Sequence, residues 1–168
     1  MVIRAVLDTS ALVPVEQRED LQALAQAGLY RGIWSPWIIA ELNRVLTWRW
    51  IRAANGDISR TNEKACSRAA KRMMTLLLAT FELVNPEPPY PPAWDSLADL
   101  WDHPIWAAAK QSGAQYVISE NTHHFPPAGQ ESQHSHEGIV YLTCQTFIAL
   151  LTGVAGGANG AEDRQEDR

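Results

Sequence analysis

The sequence predicts one α/β domain, an open and mostly parallel sheet with helices on both faces. Three observations carry that reading. Short runs of apolar and β-branched residues alternate along the chain with longer segments of helical spacing. The first such run, Val2-Ile3-Arg4-Ala5-Val6-Leu7, is almost continuously apolar, as a central strand covered on both faces requires. A length of 168 residues, 46% of them hydrophobic, suits one core rather than two.

The elements follow in order. Val2 to Leu7 is the first strand, and Asp8-Thr9-Ser10 brings capping and turn chemistry after it. Glu16 to Gly28 reads as a polar helix with Leu21, Leu24 and Ala25 on its inner face and Gly28 as its C-cap. A short strand at Gly32-Ile33-Trp34 comes next. Ser35-Pro36 then sets an N-cap serine before a proline at the first helical position, and Ile38, Leu42, Val45 and Leu46 trace the apolar stripe of a helix reaching Arg52. Asn55-Gly56-Asp57 is a turn. Helical spacing resumes from Thr61 to Thr80 through Ala65, Ala69, Met73, Leu76 and Leu77, with Thr61-Asn62-Glu63-Lys64 as a partial capping box.

Phe81 to Val84 fits a short strand, after which five prolines between Asn85 and Pro92 exclude regular hydrogen-bonded structure. Trp94 to Leu100 reads as a helical turn, Asp102 to Gln111 as a helix, Gln115 to Ser119 and Gly138 to Leu142 as strands, and Cys144 to Leu151 as the last helix. Residues 1–152 form the expected domain. Residues 153–168, mostly glycine, alanine and charged residues with no apolar anchor beyond Val154, are expected to be a disordered tail.

Composition excludes several classes. No stretch approaches the roughly 20 apolar residues of a membrane span, and the N-terminus enters its first strand without a basic leader, so a cytoplasmic protein is expected. Cys66 and Cys144 lack metal-ligand spacing and read as reduced thiols. The net charge of -5 is unevenly spread: between Ala40 and Thr75 eight basic residues face three acidic ones. Arg44, Arg49 and Arg52 open this basic stretch, which can hold a phosphate backbone, although such side chains also simply solvate amphipathic helices.

Three acids stand where acids are costly. Asp8 ends the first apolar run, Glu41 interrupts Ile38-Ile39-Ala40-Glu41-Leu42, and Asp102 opens the alanine-rich segment that ends at Lys110. Carboxylates in such places lose hydration, and a divalent cation is the simplest compensation. Ligands of open α/β sheets gather beyond the carboxyl ends of the strands, so Asp8, Glu41, Asp102 and the Glu120-Asn121 corner are compatible with one mouth. A metal-dependent hydrolytic site follows as the leading reading. Plainer roles exist for each: Asp8 as a turn cap, Asp102 as an N-cap ahead of Pro104, Glu41 as the partner of Arg44. Ser10 is a candidate hydroxyl partner of the site, as is Thr9, though a structural turn is the equal alternative for them; Asp95 and Asp99 lie ahead of Asp102 near a helix start and read as surface and capping residues, with a ligand role as the alternative.

These residues carry a resemblance. Val6-Leu7-Asp8-Thr9-Ser10-Ala11-Leu12-Val13, Ser35-Pro36-Trp37-Ile38-Ile39-Ala40-Glu41-Leu42, Asp99 and Asp102 before Trp106-Ala107-Ala108-Ala109, and Ala114-Gln115-Tyr116-Val117-Ile118-Ser119-Glu120-Asn121 together resemble a PIN domain across roughly residues 2–145. Within that superfamily the chain most resembles the VapC-like ribonuclease toxins of bacterial toxin and antitoxin modules. The resemblance implies a three-layer α/β/α sandwich with a Mg²⁺ or Mn²⁺ site that cleaves single-stranded RNA, and a small antitoxin that blocks the site. Asp8, Glu41 and Asp102 match the family's first three acids. The fourth position departs from the pattern: Asn121 stands where many relatives have Asp, and Glu120 precedes it. Asn121 can offer a carbonyl oxygen but no charge, which Asp99 or Glu120 could supply.

Other classes fit less well. A dehalogenase-like phosphatase needs a second acid where Ser10 stands, and a nucleotide-binding protein needs glycines absent from Asp8-Thr9-Ser10-Ala11-Leu12. The serious rival is a PIN-like RNA- or partner-binding module whose metal site is too weak for turnover. His123-His124 and His134-Ser135-His136 read as surface histidines in a polar loop rather than a zinc site. Trp37, Trp48, Trp50, Trp101 and Trp106 read as core or partner contacts, with base stacking as the alternative; tryptophan-bearing apolar helices also suggest a homodimer.

Overall fold

The computed structural model describes residues 2–55, 58–87, 102–125 and 134–158, with side chains described to residue 153. Six strands form one sheet: β1 (Ile3–Leu7), β2 (Tyr30–Trp34), β3 (Glu82–Leu83), β4 (Tyr116–Ile118), β5 (His134–His136) and β6 (Ile139–Leu142). Their spatial order is β3-β2-β1-β4-β6-β5, parallel except for the antiparallel β5. The helices are α1 (Thr9–Leu12), α2 (Val15–Gln26), α3 (Pro36–Ala53), α4 (Arg60–Leu78), α5 (His103–Ser112) and α6 (Cys144–Ala158). The expected α/β architecture with a mostly parallel sheet is therefore present.

β1 lies between β2 and β4, and Ala5, Val6 and Leu7 are wholly buried, which is why the first run has no polar face. Gly32 in β2 pairs with Ala5, and a Cβ there would lie 2.5 Å from Phe81 Cδ1. Only glycine admits that approach. α2 ends as its sequence requires: Gly28 takes φ +78, and the N–H groups of Leu29 and Gly28 donate to the carbonyls of Leu24 and Ala25. Ser35 caps α3 by accepting the Ile38 N–H, and Ile38, Leu42 and Leu46 are buried. α3 packs on α4.

Several expectations need correction. α4 is capped by Ser59, which accepts the Asn62 N–H, and not by the box at Thr61; a serine three residues before that donor has the geometry to reach it. His134-Ser135-His136 is an edge strand rather than a loop. Glu137 (φ 48) and Gly138 (φ 80) make a two-residue turn with positive φ at both places, which folds β5 back on β6. The helical ladder of α6 runs past the expected end at Leu151 to Ala158, and residues 159–168 of the expected tail lie outside the described residues. So do the helical turn at Trp94–Leu100 and the Gly56-Asp57 part of the predicted turn.

The core holds Trp34, Trp106, Phe125, Tyr141 and Phe147 fully buried. The Trp106 indole donates to the Tyr141 hydroxyl at 3.0 Å, and the almost wholly buried Tyr30 donates to the Leu21 carbonyl at 2.9 Å, whereas the Trp34 indole nitrogen is buried without a hydrogen-bond partner among the described residues. Arg18 is buried too, with Nη1 on the carbonyls of Leu12 and Val13 at the end of the short α1. Burial pulls its guanidinium down from the usual arginine value, against an opposing effect of Glu19.

Candidate active site

Asp8 follows β1 directly. Its N–H donates to the Ile118 carbonyl of β4 and its own carbonyl accepts the Ala11 N–H, so its backbone joins the two central strands to α1. It stands at the N-cap of α1, yet its side chain does not cap the helix. The carboxylate turns to two hydroxyls instead: Ser10 Oγ donates to Oδ2 at 2.5 Å and Ser119 Oγ at 2.7 Å. Asp8 is 5% exposed and Ser119 wholly buried.

Proton counting gives this arrangement a direction. Each serine has a single proton and both are given to Asp8, so the 3.2 Å approach of Ser10 Oγ to Ser119 Oγ is held by their shared acceptor. Each hydroxyl in turn accepts a backbone N–H, Ser10 that of Glu120 at 2.9 Å and Ser119 that of Asn121 at 3.0 Å. Two parallel relays therefore run from the corner after β4 through the hydroxyls to one carboxylate oxygen, and chained hydrogen bonds of this kind polarise one another. Both fall on Oδ2, so Oδ1 takes no hydrogen bond from a described residue. Ser119 is a site residue that sequence reasoning passed over. Its signal was a hydroxyl at the end of the apolar Val117-Ile118 run, level with Asp8 on a neighbouring strand.

Glu41 extends the cluster. Its Oε2 accepts the Thr9 hydroxyl at 2.9 Å, which ties α3 to the end of β1, while Oε1 lies 3.7 Å from the Arg44 guanidinium. Asp102 precedes α5 without capping it, and its Oδ2 is 3.3 Å from His124 Nδ1. Asn121 is exposed at the corner, and its carbonyl accepts the His124 N–H. Glu120 takes a different course: Oε1 accepts the Cys144 N–H at 3.1 Å, at the start of α6, where a helix favours negative charge. Burial and the nearby Glu120 and Asp20 carboxylates push the Cys144 thiol up to about 12, so it is no nucleophile. Asp95 and Asp99 lie outside the described residues.

The donors that sequence reasoning singled out are all oxygens, the chemistry a hard divalent cation needs. The arrangement is nonetheless open: among the described residues no three His, Cys, Asp or Glu side chains are gathered as a cation site. Asp8 and Glu41 are linked to one end of β1 through neighbouring residues, whereas the Asp102 carboxylate faces His124.

The PIN domain family profile matches residues 4–123, from β1 to the turn that contains Asn121. This chain belongs to the PIN domain family. PIN domains are a family of metal-dependent nucleases that generally use divalent cations, and Asp8, Glu41, Asp102 and Asn121 all fall within the matched segment. Among solved structures the chain is similar to the crystal structure of PAE2754 from Pyrobaculum aerophilum, with a TM-score of 0.56 and 16% identity over 91% of this chain and 98% of that one. That likeness shows the PIN-like fold. Comparison with curated proteins gives no match. No helix among the described residues of this PIN domain is long and apolar enough to cross a membrane.

Proposed function

We propose that this PIN domain is a Mg²⁺- or Mn²⁺-dependent endoribonuclease that hydrolyses phosphodiester bonds of single-stranded RNA, acting in the cytoplasm as the VapC-like toxin of a toxin and antitoxin pair. The observation that carries the reading is the Asp8 carboxylate. It is buried at the carboxyl end of a central strand and oriented by Ser10 and Ser119, with Glu41 tied beside it through Thr9. Orienting a carboxylate through one oxygen is what a preorganised ligand requires.

In this reading Asp8 and Asp102 would hold the cation, Glu41 would hold it or its waters, and Asn121 would contribute a neutral oxygen. A bound cation would supply charge neutralisation on the phosphate and an acidified water. The residues do the positioning: the relays through Ser10 and Ser119 set the rotamer of Asp8, and Thr9 sets that of Glu41. Asp102, now 3.3 Å from His124 Nδ1, would have to turn from that ring to join them. Arg44, Arg49 and Arg52 hold the RNA backbone. An antitoxin segment and a second copy of the chain are the expected protein partners.

A second reading has its own support. The open arrangement of the acids, Asp102 facing His124, and the amide of Asn121 favour a PIN-fold binding module without turnover. One experiment separates the two. The purified chain with Mn²⁺ or Mg²⁺ is expected to cut single-stranded RNA, and Asp8→Asn to reduce cutting to background with the fold retained; an unmodified chain that binds RNA but never cuts it establishes the binding module.

A further inference from the structure

Of the seven tryptophans, Trp94 and Trp101 lie outside the described residues, and the other five are unequally placed. Trp34 and Trp106 are buried, whereas Trp48 is 53% exposed on α3. It lines a shallow groove of about 390 Å³ with Arg44, Val45, Arg49 and Arg52, and no acid is among the lining residues. We infer that this outward face of α3 is a track for single-stranded nucleic acid, on which the Trp48 indole stacks a base while the three arginines contact the backbone. The inference deepens the nuclease reading and takes from it only the direction in which the strand runs.

Helical spacing supplies that direction. Glu41, Val45, Trp48 and Arg52 recur at intervals of four, three and four, so they follow one stripe of α3. Seven residues at about 1.5 Å each put Trp48 about 10 Å along the helix from Glu41, with Arg44 between them and within 3.7 Å of the Glu41 carboxylate. A strand whose reacting phosphate sits at the acids passes over Arg44 and reaches Trp48 within a few nucleotides.

Charge decides the occupant. A protein segment covering Trp48 would have to place acids opposite all three arginines to offset their desolvation. A nucleic-acid strand brings phosphates for the guanidiniums and a π face for the indole together. A second groove, on α4, lined by Arg60, Lys64, Arg68 and Lys71 with Glu63 and Ser67, has no aromatic ring among its lining residues and offers phosphate contacts alone.

The test is a titration of the full chain with a fluorescently labelled single-stranded oligouridylate of about a dozen nucleotides, in EDTA so that nothing is cut. Trp48→Ala is expected to weaken binding about tenfold with an unchanged salt slope, and Trp48→Phe to recover most of the loss. Arg49→Gln and Arg52→Gln should each lower the slope of log affinity against log salt by about 0.7. Unchanged affinity in Trp48→Ala overturns the track. So does a Trp48→Ala protein that turns from dimer to monomer by light scattering while its oligonucleotide binding stays the same, since a second copy then covers the groove. A chain that binds through Trp48 but does not cut RNA with Mn²⁺ keeps the track and removes the nuclease reading; one that cuts RNA but binds independently of Trp48 does the reverse.

Discussion

At the carboxyl end of β1 and β4, polar side chains are buried and tied to one another, whereas along α3 and α4 the arginines and lysines stand in solvent. Asp8 accepts two hydroxyls and Ser119 both donates and accepts. Arg49, Arg52, Lys64 and Arg68 are exposed. The difference separates two ways of using charge. Buried groups have one geometry, fixed by hydrogen bonds that are expensive to leave unmade, and can hold a reacting centre in place. Exposed cations gain little from any single geometry and act through long-range attraction, which salt weakens.

The largest effects should come from the buried side. Asp8→Ala removes the acceptor of one buried and one half-buried hydroxyl and should destabilise the fold by about 1–3 kcal/mol in denaturant titrations, besides abolishing cleavage. Asp8→Asn keeps an amide oxygen for both hydroxyls, so it should melt near the unmodified protein while losing the same activity. If Asp8→Ala melts like the unmodified chain, the cluster is not the tied unit described.

Ser119→Ala comes next. It removes one relay and leaves the other, and should lower divalent-cation affinity or activity about 10- to 100-fold, as loss of an orienting hydrogen bond does. The complementary Asn121→Asp restores a charge at the exposed corner and should tighten Mn²⁺ binding by calorimetry; no change would place Asn121 outside the site.

Alkaline pH probes the interior as a whole. Burial raises the Tyr30 and Tyr141 hydroxyls well above their ordinary value of 10.0 and the Cys144 thiol to about 12 from 9.0. The folded chain holds these protons while the unfolded chain releases them. Their stabilisation is thus complete below about pH 9 and is lost as pH rises through the folded values. Melting temperature should fall from pH 9 upward, and Tyr30→Phe should flatten part of that fall.

The smallest change in stability is expected on the helices. Arg44→Gln, Arg49→Gln and Arg52→Gln should each move unfolding by less than about 0.5 kcal/mol while weakening RNA binding in low salt. A large loss of stability from any of them would erase the contrast between the two regions.

Sequence pattern reached the fold where the signal lies within a few residues. The continuous apolar run of β1, the Ser35-Pro36 start of α3 and the Gly28 end of α2 all stand where local chemistry puts them. The Glu137-Gly138 turn was less legible, because glutamate rarely takes a positive φ and so does not announce the hairpin that makes β5. The acids were visible as acids out of place. Their partners were not: Ser119 meets Asp8 across 111 residues, and Glu120 turns to Cys144 on α6.

By itself, then, the sequence determined the alternation of strands and helices, the burial of β1 and the family, and it marked which acids stand out of place, because periodicity, caps and spacing act over short windows. The tertiary structure alone decided that Ser119 orients Asp8, that Asp102 faces His124, and that Trp48 stands outside among arginines while Trp106 is buried. Those outcomes depend on strand order and register and on how helices pack against the sheet, where hydrophobic burial summed over distant segments chooses the neighbours.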